Sequence, residues 1–168
     1  MARKLPTKKR MKKRLDDVVR LYIKARDNFE CSTCGIHQLA TPQGTLDWSH
    51  KITRNNLFLR WDERNSITQC RRCHNDWGNG INGPLNKAID CKWGEGTASK
   101  LEIFSKQNQT IKGTLLDDVT YRIKLEEFYK NKLNALTETN LTDKDKDYIA
   151  DIIWDEIVNL DYDKMEKN

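Results

Sequence analysis

The sequence predicts an α+β fold, in which a small cysteine-stapled strand–loop–strand–helix core is flanked by helices and followed by a mostly α-helical C-terminal half. Three observations predict it. Four cysteines stand as two Cys-x-x-Cys pairs, Cys31/Cys34 and Cys70/Cys73. Between those pairs, 45–52 and 66–69 read as short extended pieces bounded by turn residues. Elsewhere apolar residues recur at helical spacing, most clearly towards the C-terminus. The 168 residues are only 37% hydrophobic, with a mean hydropathy of −0.84, so the core is modest and a staple is physically useful.

In chain order, residues 1–14 carry eight basic side chains and no acid. Such an arm is expected to be a disordered strip laid along a polyanion, unless it merely solubilises. A first helix is expected from about Arg14 to Asp27, with Leu15, Val18, Val19 and Tyr22 on one face and Asp16 and Asp17 suiting its positive end. Cys31-Ser-Thr-Cys34-Gly35 is a thiol pair on a tight turn, and His37 just beyond it is an exposed loop residue or a substitute ligand. Pro42-Gln43-Gly44 marks a turn, Thr45–Ile52 a strand, and an irregular loop leads to the second extended piece, Ser66–Gln69. The second thiol pair opens a helix over Arg71–Trp77, stopped by Gly78, Gly80 and Gly83.

Thr114 and Asp117 form a capping box before a helix reaching about Leu136, with Leu125, Phe128, Tyr129 and Leu136 on one stripe. Thr142 and Asp145 repeat it before Ile149, Ile152, Ile153, Ile157 and Leu160. Residues 137–168 hold ten acids against four lysines. The reading therefore divides the chain into a basic arm at 1–14, a stapled core at 15–90 and a helical extension at 91–168 with an acidic end.

No apolar run is long enough to cross a bilayer, and no apolar segment follows the basic start, so a soluble, cytoplasmic protein is expected. In a reducing compartment thiol pairs at this spacing favour a structural zinc over disulfides. Cys91 is left over and is expected to be a small buried hydrophobe.

Three further residues suggest chemistry. His50 ends the first strand, Asn65 precedes the second thiol pair, and His74 follows Cys73. Phosphodiester hydrolysis needs a base near neutrality and a divalent cation held by few protein ligands. His50 can serve as the base and His74 as a ligand, while Asn65 hydrogen-bonds either the loop or the His50 ring. Lys51, Arg54, Arg60, Arg64, Arg71 and Arg72 surround them and suit DNA phosphates, with Arg54, Arg71 and Arg72 favoured. Arg60 and Arg64 can instead pair with Asp62 and Glu63. Trp48, Trp61 and Trp77 are expected in the core rather than as stacking platforms.

Those residues resemble an HNH (ββα-metal, treble-clef) nuclease. The run Leu59-Arg60-Trp61-Asp62-Glu63-Arg64-Asn65-Ser66-Ile67-Thr68-Gln69-Cys70-Arg71-Arg72-Cys73, with Gly78-Asn79 after it, is similar to the lambda NinG (Rap) recombination endonucleases. The resemblance spans roughly Leu15 to Ile89. It implies an endonuclease that uses Mg2+ or Mn2+ on branched DNA such as Holliday junctions or D-loops, in phage recombination. Two alternatives stand beside it: a sequence-tolerant HNH enzyme of homing or restriction type, and a non-catalytic zinc-binding DNA adaptor. Two departures are visible. Ser49 occupies the place where many HNH enzymes carry a metal-binding Asp, leaving Asp47 as the nearest acid, on the opposite strand face from His50 unless a bulge intervenes. His74 stands where the NinG pattern usually has Asn. The acidic last helix is a candidate dimer face, since paired cuts across a junction favour a two-fold enzyme.

Overall fold

A computed structural model of the chain describes residues 5–42, 44–108, 116 and 118–139. Among them are six helices and one two-stranded sheet, which makes the fold α+β. The capping box at Thr114 and Asp117 and the helix expected after Thr142 lie outside the described residues, as do positions 1–4.

The first helix, α1, runs Lys8–Arg26 and starts six residues earlier than expected. Thr7 caps it, its side chain accepting from the Arg10 backbone N–H at 3.3 Å. Residues 8–14 are therefore helix rather than a disordered arm. The physical reason is Met11, which with Leu15 is fully buried and extends the apolar stripe one turn upstream. That stripe packs against α6, Val119–Thr139. Leu15, Val18, Val19 and Tyr22 share one cluster with Tyr129 and Leu133, and Arg14 Nη2 meets Glu126 Oε1 at 2.9 Å.

After α1 the chain reverses through Asn28 and Phe29, both left-handed at φ 54° and 51°. The bend aims Cys31 back toward the sheet. Strand β1, Asp47–His50, pairs antiparallel with β2, Ser66–Gln69, placing Asp47 opposite Gln69 and His50 opposite Ser66. The expected strand 45–52 is thus trimmed at both ends. The connecting loop is more ordered than its sequence suggests. It contains the short helix α2, Leu57–Arg60, capped by Asn56, and a 3-10 turn, Glu63–Asn65, capped by Asp62.

Helix α3 is Arg71–Gly78, α4 is Gly83–Trp93 and α5 is Thr97–Gln107. Gly83, expected to stop a helix, instead opens α4 with Pro84 in its first turn, where a missing N–H costs nothing. The sheet is covered on both faces. Trp48 belongs to the α1–α6 cluster, and Ile67 packs with Leu59, Leu85, Ile89, Ala98 and Leu101. Asp27, almost fully enclosed, ties the layers: it accepts from the Thr68 N–H at 2.8 Å, from Ser32 Oγ at 3.0 Å, and from Arg26 and Lys92. Burial opposes its charge, but Arg26 and Lys92 hold its carboxyl below the ordinary range. Cys91 is exposed, not buried as expected, because it lies on the outer side of α4 away from Leu85 and Ile89. No helix among the described residues is long and apolar enough to cross a membrane.

Candidate metal centre and the neighbouring histidines

Cys31 and Cys34 sit on a turn that Gly35 completes at φ 74°, where its N–H donates to Cys31 O at 2.8 Å. The Ser32 N–H binds Thr68 O at 2.8 Å, fixing this turn to β2. Cys70 directly follows β2 as the N-cap of α3, and Cys73 lies in the first turn of that helix. The four sulfurs lie within 4.8 Å of one another, with Cys34 and Cys70 Sγ 3.8 Å apart. Four sulfurs about 2.3 Å from a tetrahedral zinc would be about 3.8 Å from each other, so the residues present fit that ion. None of the cysteines forms a disulfide.

Local chemistry agrees with the fit. Burial opposes ionisation of Cys31, yet backbone amides of Cys70, Cys34 and Thr33 together draw its thiol below the ordinary value. Burial and the crowding sulfurs push Cys73 up. Four thiols packed this closely cannot all ionise without a cation among them. Leu46 and Ile36 pack against Cys31, Cys70 and Cys73, while Cys34 is exposed. His37 stands outside this group, its Nδ1 accepting from the Leu39 N–H at 3.3 Å.

Beside the cluster, α3 delivers His74 to the Asp47 end of β1. His74 Nδ1 lies 3.1 Å from Asp47 Oδ2, and Arg71 Nη2 lies 3.3 Å from Asp47 Oδ1. The His74 ring stacks on Trp77, centroids 5.9 Å apart. His74 and Asp47 are half open, with side-chain exposures of 30% and 20%. One imidazole and one carboxylate converging at a solvent-facing spot can hold a divalent cation and leave most of its shell free.

His50 and Asn65 are elsewhere. The strand register puts His50 three residues from Asp47, about 10 Å along β1, and on the other face. No bulge corrects this, since all four pairs of the ladder are in register. His50 packs on Trp48 at 4.2 Å between centroids, and its Nε2 donates to Arg60 O at 3.0 Å. That bond selects the tautomer, because a carbonyl can only accept. Burial, helped by Arg54 and Arg60, pushes the His50 pKa down to about 4. Asn65, also buried, binds the loop and not the His50 ring. Its Oδ1 accepts from the Ile52 N–H at 2.7 Å, and its Nδ2 donates to Ile52 O and Leu59 O at 2.9 and 2.8 Å. The expected constellation of His50, Asn65 and His74 is thus divided into a buried pair and an open one, and Asp47 joins the open one.

The expected DNA contacts divide similarly. Arg54 and Arg72 are exposed, and Arg71 is 57% exposed. Arg64 is 61% exposed and forks onto Asp62. Lys51 and Arg60 are corrected: their side chains are 6% and 9% exposed and bind Glu102 and Asp16. Sequence reasoning misses the role of Asp16, whose place in the chain suggests only a charge suited to a helix start. It accepts from Arg60 Nε at 2.8 Å and from Trp61 Nε1 at 2.9 Å, fixing the loop beneath His50. The acid itself is visible in sequence, but its two partners are 44 and 45 residues away. Trp48 and Trp61 are core, as expected, and Trp77 packs against the second cluster.

No protein-family model matches the sequence, and comparison with curated proteins and with solved structures gives no match.

Proposed function

We propose that the chain is a metal-dependent DNA endonuclease of the HNH type, closest to the NinG recombination enzymes and acting on branched DNA. In this reading the Cys31/Cys34/Cys70/Cys73 zinc is the scaffold of a treble-clef core. The observation that carries it is the half-open Asp47–His74 pair, 3.1 Å apart and anchored to that scaffold through the first turn of α3. A bound Mg2+ or Mn2+ there would polarise the scissile phosphate and a coordinated water. Arg71, on the same carboxylate, and Arg72 beside it supply donors for phosphate oxygens. His50 lies on the other face of β1, about 10 Å along the strand from Asp47, so a water held by the Asp47–His74 pair loses its proton to another acceptor. The buried, neutral His50 positions the loop through Arg60 O.

A second reading, a zinc-binding DNA adaptor without catalysis, is favoured by the burial of that same His50, 4% exposed. One set of reactions separates the two. The protein is incubated with Mg2+ or Mn2+ on a four-way junction, a nicked duplex and a linear duplex, beside Asp47→Asn, His74→Ala and His50→Ala. The nuclease reading expects junction cleavage that falls at least ~100-fold in Asp47→Asn and His74→Ala and persists in a folded His50→Ala. Binding without cleavage by the wild type selects the adaptor. Equal cutting of linear duplex removes the preference for branched DNA, and a folded His50→Ala that cuts nothing returns His50 to the role of base.

A further inference from the structure

We infer that the first half of α1, together with Arg54, is a rigid phosphate-tracking surface that takes a duplex arm of DNA away from the Asp47–His74 pair. The inference rests on the DNA reading above and specifies a second contact surface for that substrate. Six of the seven residues from Lys8 to Arg14 are basic, and the one exception, Met11, is buried. Lys9, Lys12 and Lys13 follow at spacings of three and four, so they share one stripe. Lys9 and Lys13 are exposed and Lys12 is partly exposed. The stripe is held on a fixed helix, because the opposite side of α1 is locked against α6.

A second element extends the charge. Partial burial and then the positive charges of Arg60, Arg122 and Arg54 hold the Lys12 ammonium below its ordinary range, while Asp16 opposes them. Arg60 is enclosed and committed to Asp16, whereas Arg54 is exposed in the loop just after β1. Asp16, one turn after Lys12 on α1, holds Arg60 at 2.8 Å, and Arg60 donates to Arg54 O at 2.6 Å. The loop that carries Arg54 is thus tied to this part of α1, and the cations of both converge beyond the His50 end of β1. Arg71, Arg72 and the Asp47–His74 pair lie at the opposite end of the same strand. Like charges at three- and four-residue spacing weaken an isolated helix, and a polyanion along the stripe removes that repulsion. Duplex DNA carries the dense, regular line of negative charge that such a stripe can follow. A branched molecule presents more than one arm, one for each end of the sheet.

The test is the salt dependence of binding to a fluorescent four-way junction from about 50 to 200 mM salt. Wild type is compared with Lys9→Gln/Lys12→Gln/Arg54→Gln and with Lys9→Arg/Lys12→Arg, each checked for unchanged circular dichroism. The magnitude of the negative slope of log K against log salt is expected to fall by about 0.9 for each phosphate that is no longer neutralised, so by roughly 2 to 3 in the triple variant. The arginine variant should keep the wild-type slope. A triple variant with the wild-type slope overturns the surface, even if the protein cuts junctions. A fallen slope in a protein that cuts nothing keeps the surface and sinks the nuclease. A wild type that binds no DNA sinks both.

Discussion

Asp16 shows how one carboxylate can hold a loop that looks irregular in sequence. Its two oxygens receive Arg60 and the Trp61 indole, and Arg60 in turn donates to Arg54 O at 2.6 Å. Removing it leaves an enclosed guanidinium without its anion, so Asp16→Ala is expected to cost about 3 to 5 kcal/mol in urea unfolding. Arg64→Ala, which breaks an exposed pair, should stay within about 1 kcal/mol. A result in which the two variants lose similar stability would remove Asp16 from this role. His50 gives a pH signature. Its pKa is about 4 when folded and 6.5 as the ordinary value, so between those values the unfolded chain binds a proton that the folded one refuses. Stability is then full above about pH 6.5 and declines as pH falls toward 4, by about 3 kcal/mol from this group. Chemical denaturation across that range and just above it checks the decline, and His50→Gln should flatten the curve there.

At the level of elements, α1 explains why part of the fold is legible in sequence and part is not. The stripe Leu15, Val18, Val19 and Tyr22 announces a helix from periodicity alone. Its first turns are hidden because repelling lysines argue against helix, while a single Met11 and the Thr7 cap argue for it. Tertiary burial of Met11 prevails. The same conflict gives a prediction: a basic first turn faces the positive end of the helix dipole, so Lys9→Glu should stabilise the protein by about 0.5 kcal/mol. A small rise in thermal midpoint checks it, and a fall would mean that Lys9 makes a contact worth more than the repulsion it suffers. α2 escapes sequence reading for another reason, since four helical residues present no full period to detect. β1 and β2 lie close to their expected bounds because the cysteine pairs and turns delimit them.

Across the whole molecule, the four-cysteine cluster is the most legible feature and the open histidine pair the least. A tetrahedral site fixes ligand spacing within the chain, so two Cys-x-x-Cys pairs disclose it directly. Which histidine meets which acid depends on strand register and on the angle at which α3 leaves β2, and neither is encoded locally. The zinc assignment predicts a thiol count. A colorimetric thiol reagent should modify the exposed Cys91 quickly in the native protein and the other four only after chelation. Elemental analysis should find about one zinc per chain. Five equally fast thiols in metal-replete protein would remove the site.

The pairing of α1 with α6 also has a consequence for how the chain is made. Arg14 and Glu126, which meet in the folded protein, are 112 residues apart. At common elongation rates α1 emerges from the ribosome roughly 6 to 20 s before its partner helix exists. Through that interval Leu15, Val19 and Tyr22 lack their α6 neighbours Tyr129 and Leu133, while all four clustered cysteines have already been synthesised. The cysteine core can therefore close first and serve as the surface on which the nascent chain keeps its first helix until the last strip of core arrives.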